Sequence, residues 1–114
     1  MPYVQIETNR TLSDERKAEL CLKAAEMITI IPAKKPERTM VTINDGLTML
    51  FGCNELPCAR VKVDLFHHTE DEYKKEYAEK LLRKVAEETS IDLDRIYLTF
   101  AEYDNWGSEG NYRR

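Results

Sequence analysis

An α/β fold made of two β-α-β units is what the 114-residue sequence predicts, and two observations carry that expectation. Short alternating or β-branched segments flank longer stretches of helical period, in the order strand, helix, strand, and the order occurs twice. The second occurrence follows the first at an offset of 57 residues, which lays Val4 on Val61, Ile6 on Val63, Asp14-Glu15 on Asp71-Glu72 and Thr42 on Thr99. An internal duplication is the economical reading.

Each element has its own signal. Val4 and Ile6 alternate with Gln5 and Glu7, the period of a half-buried strand, before a turn at Asn9-Arg10. Ser13 suits a helix N-cap, with Asp14 and Glu15 in the first turn and Ala18, Cys21, Leu22, Ala25 and Ile28 at helical spacing as far as Pro32. Thr39 to Ile43 is β-branched and reads as a second strand, stopped by Asn44-Asp45-Gly46. In the second half a third strand ends at Leu65-Phe66. Thr69 and Glu72 have capping-box spacing, and Tyr77, Leu81 and Val85 make an apolar stripe. The last strand, Ile96 to Ala101, puts Ile96, Leu98 and Phe100 on one face and Tyr97, Thr99 and Ala101 on the other. Two such units give a four-stranded mixed sheet with two helices on one face. The helix-free face must find cover, and oligomerisation through it is the expectation.

Length and composition fit a single domain over residues 1–114, with 42% apolar and 33% charged residues. A net charge of −4 from 17 basic and 21 acidic residues offers no general attraction to phosphate backbones, which argues against nucleic acid as a partner. No apolar run approaches the ~20 residues of a membrane span, and the start lacks the features of a secretory signal. The expectation is therefore no membrane association and a cytoplasmic location, with secretion by an unconventional route left open. Cys21, Cys53 and Cys58 lack the paired spacing of a zinc site and read as thiols in a reducing compartment. His67-His68 with Glu70 and Asp71 is a poor metal cluster, because adjacent histidines point apart. No metal and no cofactor are expected.

Pro2 is the most informative residue. Removal of the initiator Met1 would leave a secondary amine at the start of a strand. An α-amino group titrates near ~7.7–8.0 in water, and burial lowers that value, so in a dry pocket such a nitrogen is poised as a general base. Met-Pro starts are common, however, and the dipeptide alone does not specify catalysis.

The rest of the chain resembles the tautomerase superfamily, and within it the macrophage migration inhibitory factor and D-dopachrome tautomerase family. The resemblance runs through Met1-Pro2, Thr8-Asn9, Lys35-Pro36-Glu37, Met49-Leu50-Phe51-Gly52, Pro57-Cys58-Ala59, Asp94-Arg95-Ile96-Tyr97 and Trp106-Gly107. It implies a homotrimer with three active sites at subunit boundaries, and a keto–enol tautomerase acting on a small 2-oxo acid or its enol, of the phenylpyruvate type. Pro2 matches the catalytic base and acid, and Lys35 the carboxylate anchor, with Lys34 beside it. Tyr97 and Thr99 match positions that reach a neighbouring subunit's pocket. Leu65 or Phe66 fits its apolar wall and Trp106 its mouth. Two departures affect substrate preference: Thr39 stands where many members carry an aromatic residue, and Thr99 replaces an asparagine. Cys58 is followed at the relevant spacing by Val61, so no thiol–disulfide activity is implied. Two other functions are compatible with the same residues: a cytokine-like binding module with a vestigial pocket, or a decarboxylase or dehalogenase of the same superfamily.

Overall fold

Buried and half-buried residues alternate strictly along the first strand, β1 (Pro2–Thr8), because its even positions face a helical layer and its odd positions do not. A computed structural model describes all of residues 1–114. After β1 come helix α1 (Asp14–Glu26), strand β2 (Met40–Asn44), strand β3 (Ala59–Phe66), helix α2 (Asp71–Thr89) and strand β4 (Ile96–Tyr103). These strands form one sheet in the order β2-β1-β3-β4. β1 runs parallel to β2 and antiparallel to β3, and β3 runs parallel to β4, so the sheet is mixed. β1 and β3 begin 57 residues apart, at Pro2 and Ala59, and so do α1 and α2, at Asp14 and Asp71. The repeat read from the sequence is thus a repeat of structure.

Val4, Ile6, Val61, Val63, Leu65 and Ile96 from the sheet meet Leu20, Ala24 and Ile28 from the α1 side and Tyr77, Leu81 and Val85 from α2 in one core. Burying such side chains is worth ~1.5–3 kcal/mol each. The predicted α2 stripe lies in this core throughout. On the α1 side only Ile28 of the predicted stripe does, whereas Leu22 is 52% exposed and Leu20 and Ala24 are buried in its place. The reason is local: with Leu and Ala on several sides of a short helix, spacing alone does not choose between two apolar faces. Ser13 caps α1 as expected, its side chain accepting from the Arg16 N–H. The capping box of α2 does not form. Thr69 donates its N–H to Glu102 Oε2 of β4 at 2.6 Å instead, and Glu70 occupies the N-cap without a side-chain bond.

The helix-free face carries Tyr3, Gln5 and Glu7 beside Asp64, Lys62 and Arg60, then Ala101, Thr99 and Tyr97. It is polar, with Tyr3 and Thr42 hydroxyls 3.2 Å apart and Arg60 3.7 Å from Glu7. Beyond β4 the chain makes a hairpin of two three-residue strands, β5 (Trp106–Ser108) and β6 (Asn111–Arg113). No helix is long and apolar enough to cross a membrane.

Candidate functional site

β1 is an interior strand, so the start of the chain is delivered into the middle of one edge of the sheet, where Pro2 is buried and pairs with Leu65 of β3. A cavity of about 530 Å³ opens there, lined among others by Met1, Pro2, Arg38, Met40, Trp106 and Glu109. The hairpin supplies one wall. Ser108 Oγ donates to Met1 Sδ at 3.0 Å and Arg113 donates to the same hydroxyl at 2.7 Å. Across the opening, Arg38 donates to Glu109 Oε1 at 2.7 Å and links the β2 side to the hairpin turn.

The segment after α1 brings in the positive charge. A 3-10 turn, Met27–Ile30, buries Ile28 and is followed by buried Ile31, and Ala33 then takes a left-handed conformation (φ 68°) that turns the chain back. Lys34 follows, and its ammonium donates to the Phe66 carbonyl at the end of β3 at 2.9 Å. The α-amine of Met1, next to Pro2, feels these surroundings. Burial lowers its pKa from 8.0 to about 6, assisted by the charge of Lys34, by its hydrogen bonding, and by the charge of Arg38. An amine with such a value is mostly neutral at pH 7 and can accept a proton.

The sequence-predicted residues divide into four groups. Pro2 and Trp106 line the cavity, and Phe66 adjoins it through Trp106, the ring centres being 6.2 Å apart. Leu65 is fully buried among the core residues. Tyr97 and Thr99 lie on the helix-free face away from the cavity; Tyr97 is 64% exposed, its ring 4.9 Å from that of Phe51. Arg95 holds Phe51 there, bonding the Phe51, Leu56 and Pro57 carbonyls with its guanidinium over the Phe51 ring. Lys35 is exposed, and its carbonyl accepts from Thr39 Oγ1 and the Arg38 N–H. Of the two neighbouring lysines, it is Lys34 whose side chain reaches the amine. Arg38 escaped the sequence reading, and Lys34 entered it only as the neighbour of Lys35.

No three His, Cys, Asp or Glu side chains are grouped so as to hold a metal ion. His68 lies 3.4 Å from Glu102 and 3.6 Å from Glu70. All three cysteines are free.

Residues 1–111 match the family model described as macrophage migration inhibitory factor. The chain belongs to that family. A macrophage migration inhibitory factor homolog of Brugia malayi is 30% identical over 105 residues, covering 91% of this chain and 90% of the relative. D-dopachrome decarboxylase-B of Xenopus laevis is 28% identical over 107 residues, covering 93% and 90%. The crystal structure of Leishmania major MIF2 superimposes with a TM-score of 0.91 at 20% identity, covering 98% of this chain and 97% of that one.

Proposed function

We propose that this member of the family is a keto–enol tautomerase of 2-oxo acids of the phenylpyruvate type, with Pro2 as general base and acid once Met1 is removed. The observation that carries the reading is the setting of the chain start, where burial and two nearby cations lower the Met1 amine to about 6; the Pro2 nitrogen, an amide while Met1 is attached, would meet those surroundings as a free amine once Met1 is removed. Family membership supports tautomerase-type chemistry in general, and the relatives' names point to small-molecule substrates.

In this reading the neutral proline nitrogen takes a proton from the carbon next to the substrate carbonyl and returns one to the opposite end of the enol system. The fixed ring keeps that nitrogen in place between the two transfers. Lys34 holds the substrate carboxylate, in preference to the exposed Lys35, and Arg38 stabilises the developing enolate oxygen or a second polar group. Trp106 and Phe66 offer an apolar wall for the substrate's side chain. Tyr97 and Thr99 contribute from a neighbouring copy in a homotrimer, because in one chain neither lines the cavity.

Ultraviolet progress curves with phenylpyruvate test the proposal. Turnover is expected from protein whose intact mass shows Met1 removed, and its loss in Pro2→Ala and after a one-residue N-terminal extension. Flat curves at high concentration of the processed protein would remove it. A decarboxylase reading is favoured by Arg38, a second cation able to hold the carboxylate-bearing end of a substrate, and by the name of the Xenopus laevis relative. Release of carbon dioxide from D-dopachrome separates the two reactions.

A further inference from the structure

A second cavity, of about 310 Å³, lies beside the first and shares Trp106 and Gly107 with it, but no cationic side chain lines it. Its remaining lining is Asp64, Tyr103, Asn105 and Tyr112. The carboxylate is the unusual member. Asp64 is only 9% exposed, and its Oδ1 is buried without any hydrogen-bond partner. Lys62 is the nearest cation, its ammonium 3.8 Å away and too far to donate. A buried acceptor left without a donor is costly and rare in folded proteins. Around it stand three aromatic rings. Tyr103 meets Trp106 edge-on with centres 6.0 Å apart, and the exposed ring of Tyr112 already attracts the Arg114 guanidinium, 5.9 Å from its centre.

Aromatic faces attract cations, and a partnerless carboxylate attracts a cation that can donate a hydrogen bond. We propose that this cavity binds a small organic ammonium carrying at least one N–H, which donates to Asp64 while its alkyl groups lie against Tyr103, Trp106 and Tyr112. The N–H is required because rings alone would accept a quaternary ammonium equally well, whereas Asp64 Oδ1 lacks a donor.

Trp106 is the only tryptophan, so its fluorescence reports on the site in the full-length protein. Titration with trimethylammonium at constant ionic strength is expected to give a saturable change. Tetramethylammonium, which lacks the N–H, and tert-butyl alcohol, which lacks the charge, should each bind at least about tenfold more weakly. Asp64→Asn should lose a similar factor. Tyr112→Leu alters an exposed side chain and leaves the carboxylate in place, so it should weaken binding by a smaller factor without affecting folding. No saturable change, or equal affinities of wild type and Asp64→Asn, overturns the proposal. So does an Asp64→Asn protein that binds no less tightly but changes its assembly mass in solution, since that assigns the carboxylate to a contact between copies. None of these readouts depends on tautomerase turnover.

Discussion

The two β-α-β halves share a plan but not a division of labour. In the second half, β3 has eight residues, five of them buried, and the nineteen-residue α2 buries Tyr77, Leu81, Val85 and Thr89, with the Tyr77 hydroxyl donating to the Ala24 carbonyl of α1. In the first half, β2 has five residues, none fully buried, and the thirteen-residue α1 buries only Leu20 and Ala24. Yet the chain-start amine, Lys34 and Arg38 all belong to this lighter half, and the second half meets them through the Phe66 carbonyl at Lys34, Glu109 at Arg38 and Ser108 at Met1. Duplication gave two copies of one scaffold unit. The heavier copy holds the fold, and the lighter one has an open edge and a loop free to carry charge.

The largest effect that sharpens this contrast is chemical. Pro2→Ala, or a blocked N-terminus, should lower kcat/KM by ~10²–10⁴-fold, the usual range for a lost general base. Activity that survives either change would place the chemistry elsewhere. Next comes stability. Leu81→Ala in α2 should cost ~2–5 kcal/mol in urea unfolding, because it leaves a cavity in the core. Leu22→Ala on the exposed side of α1 should change stability by no more than ~0.5 kcal/mol. Equal losses would show that α1 is rotated from the face described above.

Much of this plan was legible in the sequence, since strands of period two and a repeated order need only local chemistry. The α2 stripe was plain because Tyr77, Leu81 and Val85 stand apart among charged residues. The α1 face was not, because Ala18, Leu20, Leu22, Ala24 and Ala25 are apolar in nearly every direction. The β5–β6 hairpin was missed because three-residue strands such as Trp106–Ser108 have no periodicity to read. Thr69 was misread for a different reason: the group that satisfies its N–H is Glu102, far along the chain. The same limit applies to the lysines. Lys34 and Lys35 are equivalent as sequence, and only the positive φ of Ala33 and the Phe66 carbonyl separate them.

That separation gives a smaller, sharper test. Lys34→Ala should raise KM for a 2-oxo acid by ~10–100-fold, in line with ~1.5–3 kcal/mol for a hydrogen bond to a charged group. Lys35→Ala should stay within about twofold, as an exposed substitution does. A reversed order would return the anchoring role to Lys35.

The smallest effects concern pH, and here the halves should separate by window. The amine of the first half has a folded pKa lowered to about 6 from 8.0, so between those values the unfolded chain binds more protons than the folded one. Stability therefore rises with pH across that interval and is lost as pH falls through it. Acetylating the amine should flatten this rise. Glu102 of the second half behaves differently. Burial pushes its pKa up, but the Thr69 N–H, Lys74 and His68 outweigh that and hold it below the ordinary 4.5. Its contribution is fully present above that value and disappears as pH drops through the lowered folded pKa. Glu102→Gln should therefore flatten the acid arm of a urea-midpoint profile and leave the arm between pH 6 and 8 unchanged. If that substitution also removed the neutral arm, the two halves would not titrate independently, and the β4 carboxylate would be coupled to the site through Thr69 and the Phe66–His67 turn.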